Sequence, residues 1–87
     1  WYFREGRLRD VLPRVAALSA ATSSMSGTLA QRCLRFCLTH PAVSTVIPGM
    51  RRPETVDLNC AVSDLGPLNE SELAIMRQHV WLKNYYR

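Results

Sequence analysis

Val43-Ser44-Thr45-Val46-Ile47 runs directly into Pro48-Gly49-Met50-Arg51-Arg52-Pro53. Four of the first five residues are β-branched, and the run is bounded by Pro41 and by the Pro48-Gly49 pair. This is the pattern of a short β-strand closed by a tight turn, and the only convincing strand in the sequence. A lone strand cannot satisfy its own backbone N–H and C=O groups. One this apolar, with helical stretches before and after it, belongs in a parallel sheet buried on both faces. Its neighbours are not in this sequence. The chain is therefore expected to be the end of a larger α/β protein, or to complete its sheet by association.

Upstream, residues 28–39 read as a helix. Thr28 is suited to cap it, and Leu29, Ala30, Cys33, Leu34, Phe36, Cys37 and Leu38 form a wide apolar face. Gln31, Arg32 and Arg35 form a narrow polar face, so the apolar side is expected to be the buried one, against a sheet. Pro41 ends the helix by pushing His40 out of the helical region. An earlier helix is expected over residues 11–21, with Leu8, Val11, Leu12, Val15 and Leu18 on one stripe. Asp10 is its expected N-cap, which would place Pro13 harmlessly in the first turn. Residues 19–26 are rich in Ser, Ala and Thr and end at Gly27, and read as a frayed helix end plus a loop.

Downstream, Pro53 fits the first position of a helix over residues 53–62, with Glu54 and Asp57 complementing its positive end. After a turn over residues 64–67, Asn69-Glu70-Ser71-Glu72 fits a capping box. Leu68 and Leu73 stand at the staple positions around it, and Leu73, Met76 and Val80 continue the apolar stripe. Residues 81–87 are aromatic and basic with no evident partner.

The stretch 44–59 also carries the chemistry. It is a strand, a tight turn, two arginines and a helix N-terminus. In α/β folds ligands collect at the C-terminal ends of strands. A helix N-terminus offers unpaired N–H groups and a partial positive charge. Gly49 allows close backbone approach, and Arg51 or Arg52 can fork onto a phosphate. Asn59, about two turns into the helix, can reach an adenine or ribose edge. The plain alternative is a strand-to-helix turn with two solvated arginines.

With 87 residues and 9.9 kDa, the chain makes one small domain at most, of a size at which a hydrophobic core is marginal. At 47% apolar and 21% charged residues, its composition is that of a globular protein. No apolar run reaches the roughly 18 residues of a membrane span, and no basic-then-apolar leader follows Trp1. A first residue other than methionine suggests a processed product or a piece of something longer. The net charge of +4 permits an anionic partner without demanding one, because the basic residues are spread. Three cysteines, an odd number, argue for a reducing, cytoplasmic compartment with the thiols buried as small hydrophobes.

Cys33, Cys37 and His40 have spacings that share one helix face, but a closed zinc site lacks a fourth ligand, and core cysteines are expected. A helix-turn-helix over residues 28–47 would be broken by Pro48-Gly49 after about five residues of recognition helix, too short for a major groove. The basic residues also lack interleaved aromatics, so no nucleic-acid partner is expected.

The block from Thr28 through His40-Pro41 to Val46-Ile47-Pro48-Gly49 resembles the penultimate helix and last barrel strand of the aldo-keto reductases. Arg51 through Asn59 resembles that family's cofactor-binding turn and helix, and residues 66–73 its closing helix. The resemblance covers roughly residues 7–81. It implies that residues 1–87 are a single C-terminal segment of a (β/α)8 TIM barrel, mostly helical with one barrel strand near residues 43–47. It also implies NADP-dependent reduction of aldehydes or ketones. On the likeness, Gly49, Met50, Arg51 and Arg52 would hold the adenosine 2′-phosphate and Asn59 would contact the adenine.

The family usually carries Arg or Gln where Thr55 stands, and Glu where Leu58 stands. Those departures weaken the adenine side of the site and leave cofactor preference open, although Arg51 still favours NADP over NAD. The family's catalytic Asp, Tyr, Lys and His lie on earlier strands and have no counterpart here, so this chain alone is expected to lack reductase activity. Neither His40 nor His79 matches a catalytic position. Trp81, Tyr85 and Tyr86 are expected to be a tail packed on the outside, with a border of the substrate pocket as the alternative. A reading from another class remains: a small, non-catalytic helical module that self-associates through its apolar faces. Its partners would be further copies of itself, in place of the remainder of the barrel.

Overall fold

A computed structural model describes residues 5–81, with side-chain environments from residue 8 onward. Four helices account for its regular structure: α1 (Glu5–Ala21), α2 (Leu29–Thr39), α3 (Pro53–Leu65) and α4 (Glu70–Arg77). No strand forms among the described residues. The strand expected at residues 43–47 is thus corrected to a segment without regular structure. The reason is the one that made it conspicuous: a β-ladder needs a second strand, and none of the described residues provides one. Ile47 stands 93% exposed.

α2 is the organising helix, packed chiefly on α3. Its start is a full capping box. Thr28 Oγ1 accepts from the Gln31 N–H at 3.2 Å, and Gln31 Oε1 accepts from the Thr28 N–H at 2.9 Å. Its end falls at Thr39, with His40 in extended backbone ahead of Pro41, as the proline requires.

The buried face of α2 differs in part from the sequence expectation: Cys33 and Phe36 pack on the core as expected, but the most buried positions are polar. Gln31 and Arg35 are buried, whereas Ala30 and Cys37 are exposed and Leu34 and Leu38 only half-buried. Specific hydrogen bonds explain the difference. Gln31 Nε2 donates to the Leu58 carbonyl of α3 at 2.8 Å. Arg35 Nε donates to Gly66 O at 2.9 Å and its Nη2 to Pro67 O at 3.2 Å. Thr39 Oγ1 donates to Arg35 O at 2.6 Å and accepts from the Leu68 N–H at 2.9 Å. Leu58 lies in the middle of α3, and Gly66, Pro67 and Leu68 lie where the chain turns from α3 into α4, so the polar stripe ties α2 to both. A hydrogen bond to a charged group contributes about 1.5–3 kcal/mol net, and a buried group stripped of its partner costs a similar amount.

α1 begins six residues before the expected start. Asp10 is consequently interior, not an N-cap, and Pro13 lies inside the helix. Leu8 and Arg9 are strong helix formers that carry the helix upstream, while Pro13 withholds one i→i−4 bond. The apolar stripe of α1 is only partly covered: Leu12 is 60% exposed and Val15 is also exposed, Leu8 and Val11 are half-buried, and Leu18 packs on the core.

Residues 22–27 are not frayed. Thr22 is fully buried, with its N–H and Oγ1 both bonded to Leu18 O, and Met25 is buried beside it in the core. Gly27 closes this turn at φ 85°. A Cβ there would sit 2.7 Å from Gln31 Oε1, so glycine is what lets the turn meet the capping box.

α3 runs three residues past its expected end and stops at Gly66, whose φ of 75° suits only glycine. α4 starts as the sequence dictates: Asn69 Oδ1 accepts from the Glu72 N–H at 2.8 Å and Glu72 Oε1 accepts from the Asn69 N–H at 3.0 Å. Leu68 is buried in a cluster with Met25 and Met76, and Leu73, Leu18, Cys33 and Phe36 pack against it. α4 ends at Arg77, so the stripe stops short of Val80, which is exposed.

Candidate functional site

The turn 48–52 joins the unpaired segment to α3. Gly49, Met50, Arg51 and Arg52 are all exposed. Neither arginine side chain holds a hydrogen bond or ion pair among the described residues. Gly49 has no positive φ, and a Cβ added to it would meet nothing within 4 Å. The fold itself thus places no demand for glycine there; what the residue leaves is open backbone surface beside two guanidiniums.

The α3 N-terminus offers less than expected to an anion. Pro53 has no N–H, and the Thr55 and Val56 N–H groups both donate to Arg52 O, at 3.0 and 3.2 Å. Arg52 is the N-cap in extended backbone, with no capping bond from its side chain. Glu54 adds a carboxylate to the first turn, which opposes a second anion. The positive character of this corner therefore comes from Arg51 and Arg52, two full charges, and only weakly from the helix dipole of about half a charge.

Thr55 and Asn59 are half-buried on α3, one and two turns in. Asn59 Nδ2 donates to Gly49 O at 3.4 Å. Asn59 and Met50 also border an open cavity of about 240 Å³ between α2, α3 and the segment 44–50, with Leu34, Leu38 and Val62 also in its lining. The predicted residues thus fall in one corner of the molecule. What sequence reasoning missed is that Asn59 is already engaged with the turn; a bond between residues ten positions apart carries no local sequence signal.

The other candidates resolve differently. Among the described residues, no group of three His, Cys, Asp or Glu side chains is placed to hold a metal ion. His40 Nδ1 accepts from the Ala42 N–H at 3.1 Å. Of the cysteines expected in the core, Cys37 and Cys60 are exposed and only Cys33 is half-buried. Cys60 borders the same open cavity as Val62. Burial pushes the Cys33 thiol up from its ordinary value; neighbouring Cys37 adds to this and Arg32 opposes it. Residues 43–47 form no helix, so no recognition helix follows α2. Trp81 is half-buried with the Arg14 guanidinium 4.4 Å over its ring, an arrangement the sequence does not signal across so long a separation. The expectations for Tyr85 and Tyr86 lie outside the described residues.

The model of the aldo/keto reductase family matches residues 5–80, nearly the whole chain. The chain belongs to that family. A "Probable voltage-gated potassium channel subunit beta" from Arabidopsis thaliana is 36% identical to it over 59 residues, which is 68% of this chain and 18% of the relative. The chain thus spans less than a fifth of that relative's length. No solved structure matches it. Four helices with no strand among the described residues fit a helical portion of an aldo/keto reductase.

Proposed function

We propose that residues 48–59 supply the adenosine 2′-phosphate side of an NADP(H) site in an aldo/keto reductase acting on aldehydes or ketones. The observation that carries this reading is the exposed Arg51–Arg52 pair beside the open backbone of Gly49, at the end of the segment 43–47. A 2′-phosphate is a compact dianion, and two unengaged guanidiniums meet it with charge-assisted hydrogen bonds. Gly49 and Met50 would present backbone to the phosphate, and Thr55 and Asn59 lie further along α3 on the adenosine side. Bound NADPH supplies the hydride. This chain's residues bind and orient; the proton and hydride chemistry falls to groups outside residues 1–87, in the remainder of the barrel, with the segment 43–47 as its last strand. The whole is expected in the cytoplasm. No helix among the described residues is long and apolar enough to cross a membrane.

The test is a fluorescence titration of NADPH into the intact protein that carries this segment. Replacing both Arg51 and Arg52 by Ala is expected to weaken NADPH by about tenfold to a hundredfold, the worth of one or two charge-assisted bonds, with NADH little changed. An unchanged NADPH affinity would contradict the assignment.

The exposed apolar side chains favour a second reading, in which the 87-residue chain alone self-associates. Ile47, Leu12, Val15, Leu58 and Val80 are all uncovered, and the backbone of residues 43–47 invites edge pairing. Light scattering at micromolar concentration is expected to show oligomers, and a clean monomer would count against this reading.

A further inference from the structure

We infer that Gln31 of α2 is a positioning residue for the adenosine side of the site, because it sets the rotation of α3, the helix that carries Thr55 and Asn59; the inference rests on the NADP(H) reading above.

Gln31 is only 6% exposed, and a side-chain amide so buried has to find partners. Its oxygen accepts from the Thr28 N–H at 2.9 Å, and its nitrogen donates to Leu58 O at 2.8 Å. Gly27 crowds the same oxygen, since a Cβ there would stand 2.7 Å from Oε1. The capping box and Gly27 thus hold the amide in one orientation, with its nitrogen towards α3. Leu58 lies in the middle of α3. Among the described residues this is the one side-chain hydrogen bond from α2 into the body of that helix. The bonds of Arg35 and Thr39 go to residues 66–68, beyond its end. Bonds beyond the end fix where a helix stops and constrain its rotation weakly. A bond to a carbonyl at its middle, entering from the side, fixes the rotation directly.

Leu58 is next to Asn59 and three residues after Thr55. Side-chain atoms stand about 5 Å from a helix axis, so a rotation of about 10° moves both residues by about 1 Å. A displacement of that size takes a hydrogen bond to a ligand out of range. Arg51 and Arg52 precede α3, in the turn, and are moved less. Loss of the Gln31 bond is therefore felt on the adenosine, which NADPH and NADH share, and not on the 2′-phosphate, in which they differ.

The cap and the tie can be broken separately. Thr28→Ala removes the hydroxyl that caps α2 and leaves both side-chain bonds of Gln31 in place. Gln31→Glu keeps an oxygen for the Thr28 N–H and removes the donor to Leu58 O. Gln31→Met, of similar length, removes the donor without adding a charge and serves if Gln31→Glu does not fold. The experiment is a fluorescence titration of NADPH and of NADH into the intact protein and these variants, with Arg51→Ala/Arg52→Ala alongside. Gln31→Glu or Gln31→Met is expected to raise Kd for both coenzymes by the same factor, about threefold to tenfold, at wild-type stoichiometry. Thr28→Ala is expected to leave both Kd values within about twofold of wild type. A purely structural role would lower the stoichiometry and leave Kd unchanged, and that result would overturn the inference. So would a loss confined to NADPH, or a Kd raised as much by Thr28→Ala as by the Gln31 variants. If Arg51→Ala/Arg52→Ala leaves NADPH affinity unchanged, the site reading itself fails and takes this inference with it.

Discussion

α2 and the segment that follows it, residues 43–52, are neighbours in sequence and opposites in construction. α2 is capped at its start, stopped by a proline at its end, and bonded sideways to Leu58, Gly66, Pro67 and Leu68. Apart from the backbone bonds that Arg52 accepts as the α3 cap, the segment 43–52 has one hydrogen bond to a helix among the described residues, an almost fully exposed Ile47 and two exposed arginines. The first region finds its partners within the described residues. The second carries β-branched side chains and backbone groups suited to partners that those residues do not supply. The contrast teaches that the bonds that hold this chain together sit apart from the turn proposed to bind cofactor: substitutions in the α2 network should unfold it, and substitutions in the turn should leave folding alone.

The strongest way to break that division is Arg35→Ala. It strips the Gly66 and Pro67 carbonyls of their charged donor and removes a buried side chain from α2. A loss of about 2–4 kcal/mol is expected, read as a fall in the urea midpoint of the far-ultraviolet circular dichroism. That is a large share of the stability of a small domain. A shift below about 0.5 kcal/mol would show that the polar stripe is incidental.

The caps come next. Asn69→Ala removes one bond of the α4 capping box and should cost about 1 kcal/mol by the same measurement. Thr28→Ala should cost a comparable amount at α2. In the turn, Ile47→Lys should move the midpoint by no more than about 0.5 kcal/mol, because the side chain is already in solvent, while reducing association seen by light scattering. A large destabilisation from Ile47→Lys would erase the contrast.

The sequence showed the local devices and missed the long-range ones. Asn69 with Glu72, Thr28 as a cap, Pro41 as a stop and Pro53 as a start were all readable, because each acts within four residues of itself. The buried face of α2 was readable only in part. Apolar count favoured Leu29, Ala30, Cys33, Leu34, Phe36, Cys37 and Leu38 as the inward side; Cys33 and Phe36 do pack on the core, yet Gln31 and Arg35 are the most buried because they donate to carbonyls at residues 58, 66 and 67, which nothing local announces. The same applies to Asn59 and Gly49, and to Arg14 over Trp81. The β-branched run of residues 43–47 was legible as a pattern, and its lack of partners was legible too. α1 was misjudged because Pro13 and Asp10 imitate a helix start so well.

The smallest expected effect is on pH dependence. The Cys33 thiol is raised above the ordinary 9.0, chiefly by burial. The unfolded chain therefore gives up this proton first as pH climbs. The contribution of Cys33 is fully present below the ordinary thiol value and is lost as pH rises through the raised one. Stability should thus decline slightly in alkaline solution, and Cys33→Ala should flatten that decline. Alkylation by iodoacetamide at neutral pH should mark Cys37 and Cys60 ahead of Cys33.

Amide hydrogen exchange, followed residue by residue on the 87-residue chain at a dilution where it is monomeric, addresses the division between the two regions without any substitution. Slow exchange is expected in the interior of α2 and at Leu68, with exchange near the unfolded rate at Ser44, Thr45, Val46 and Ile47. Protection of those four amides to the level of α2 would mean that the segment already has its partners within the chain, and would contradict the account.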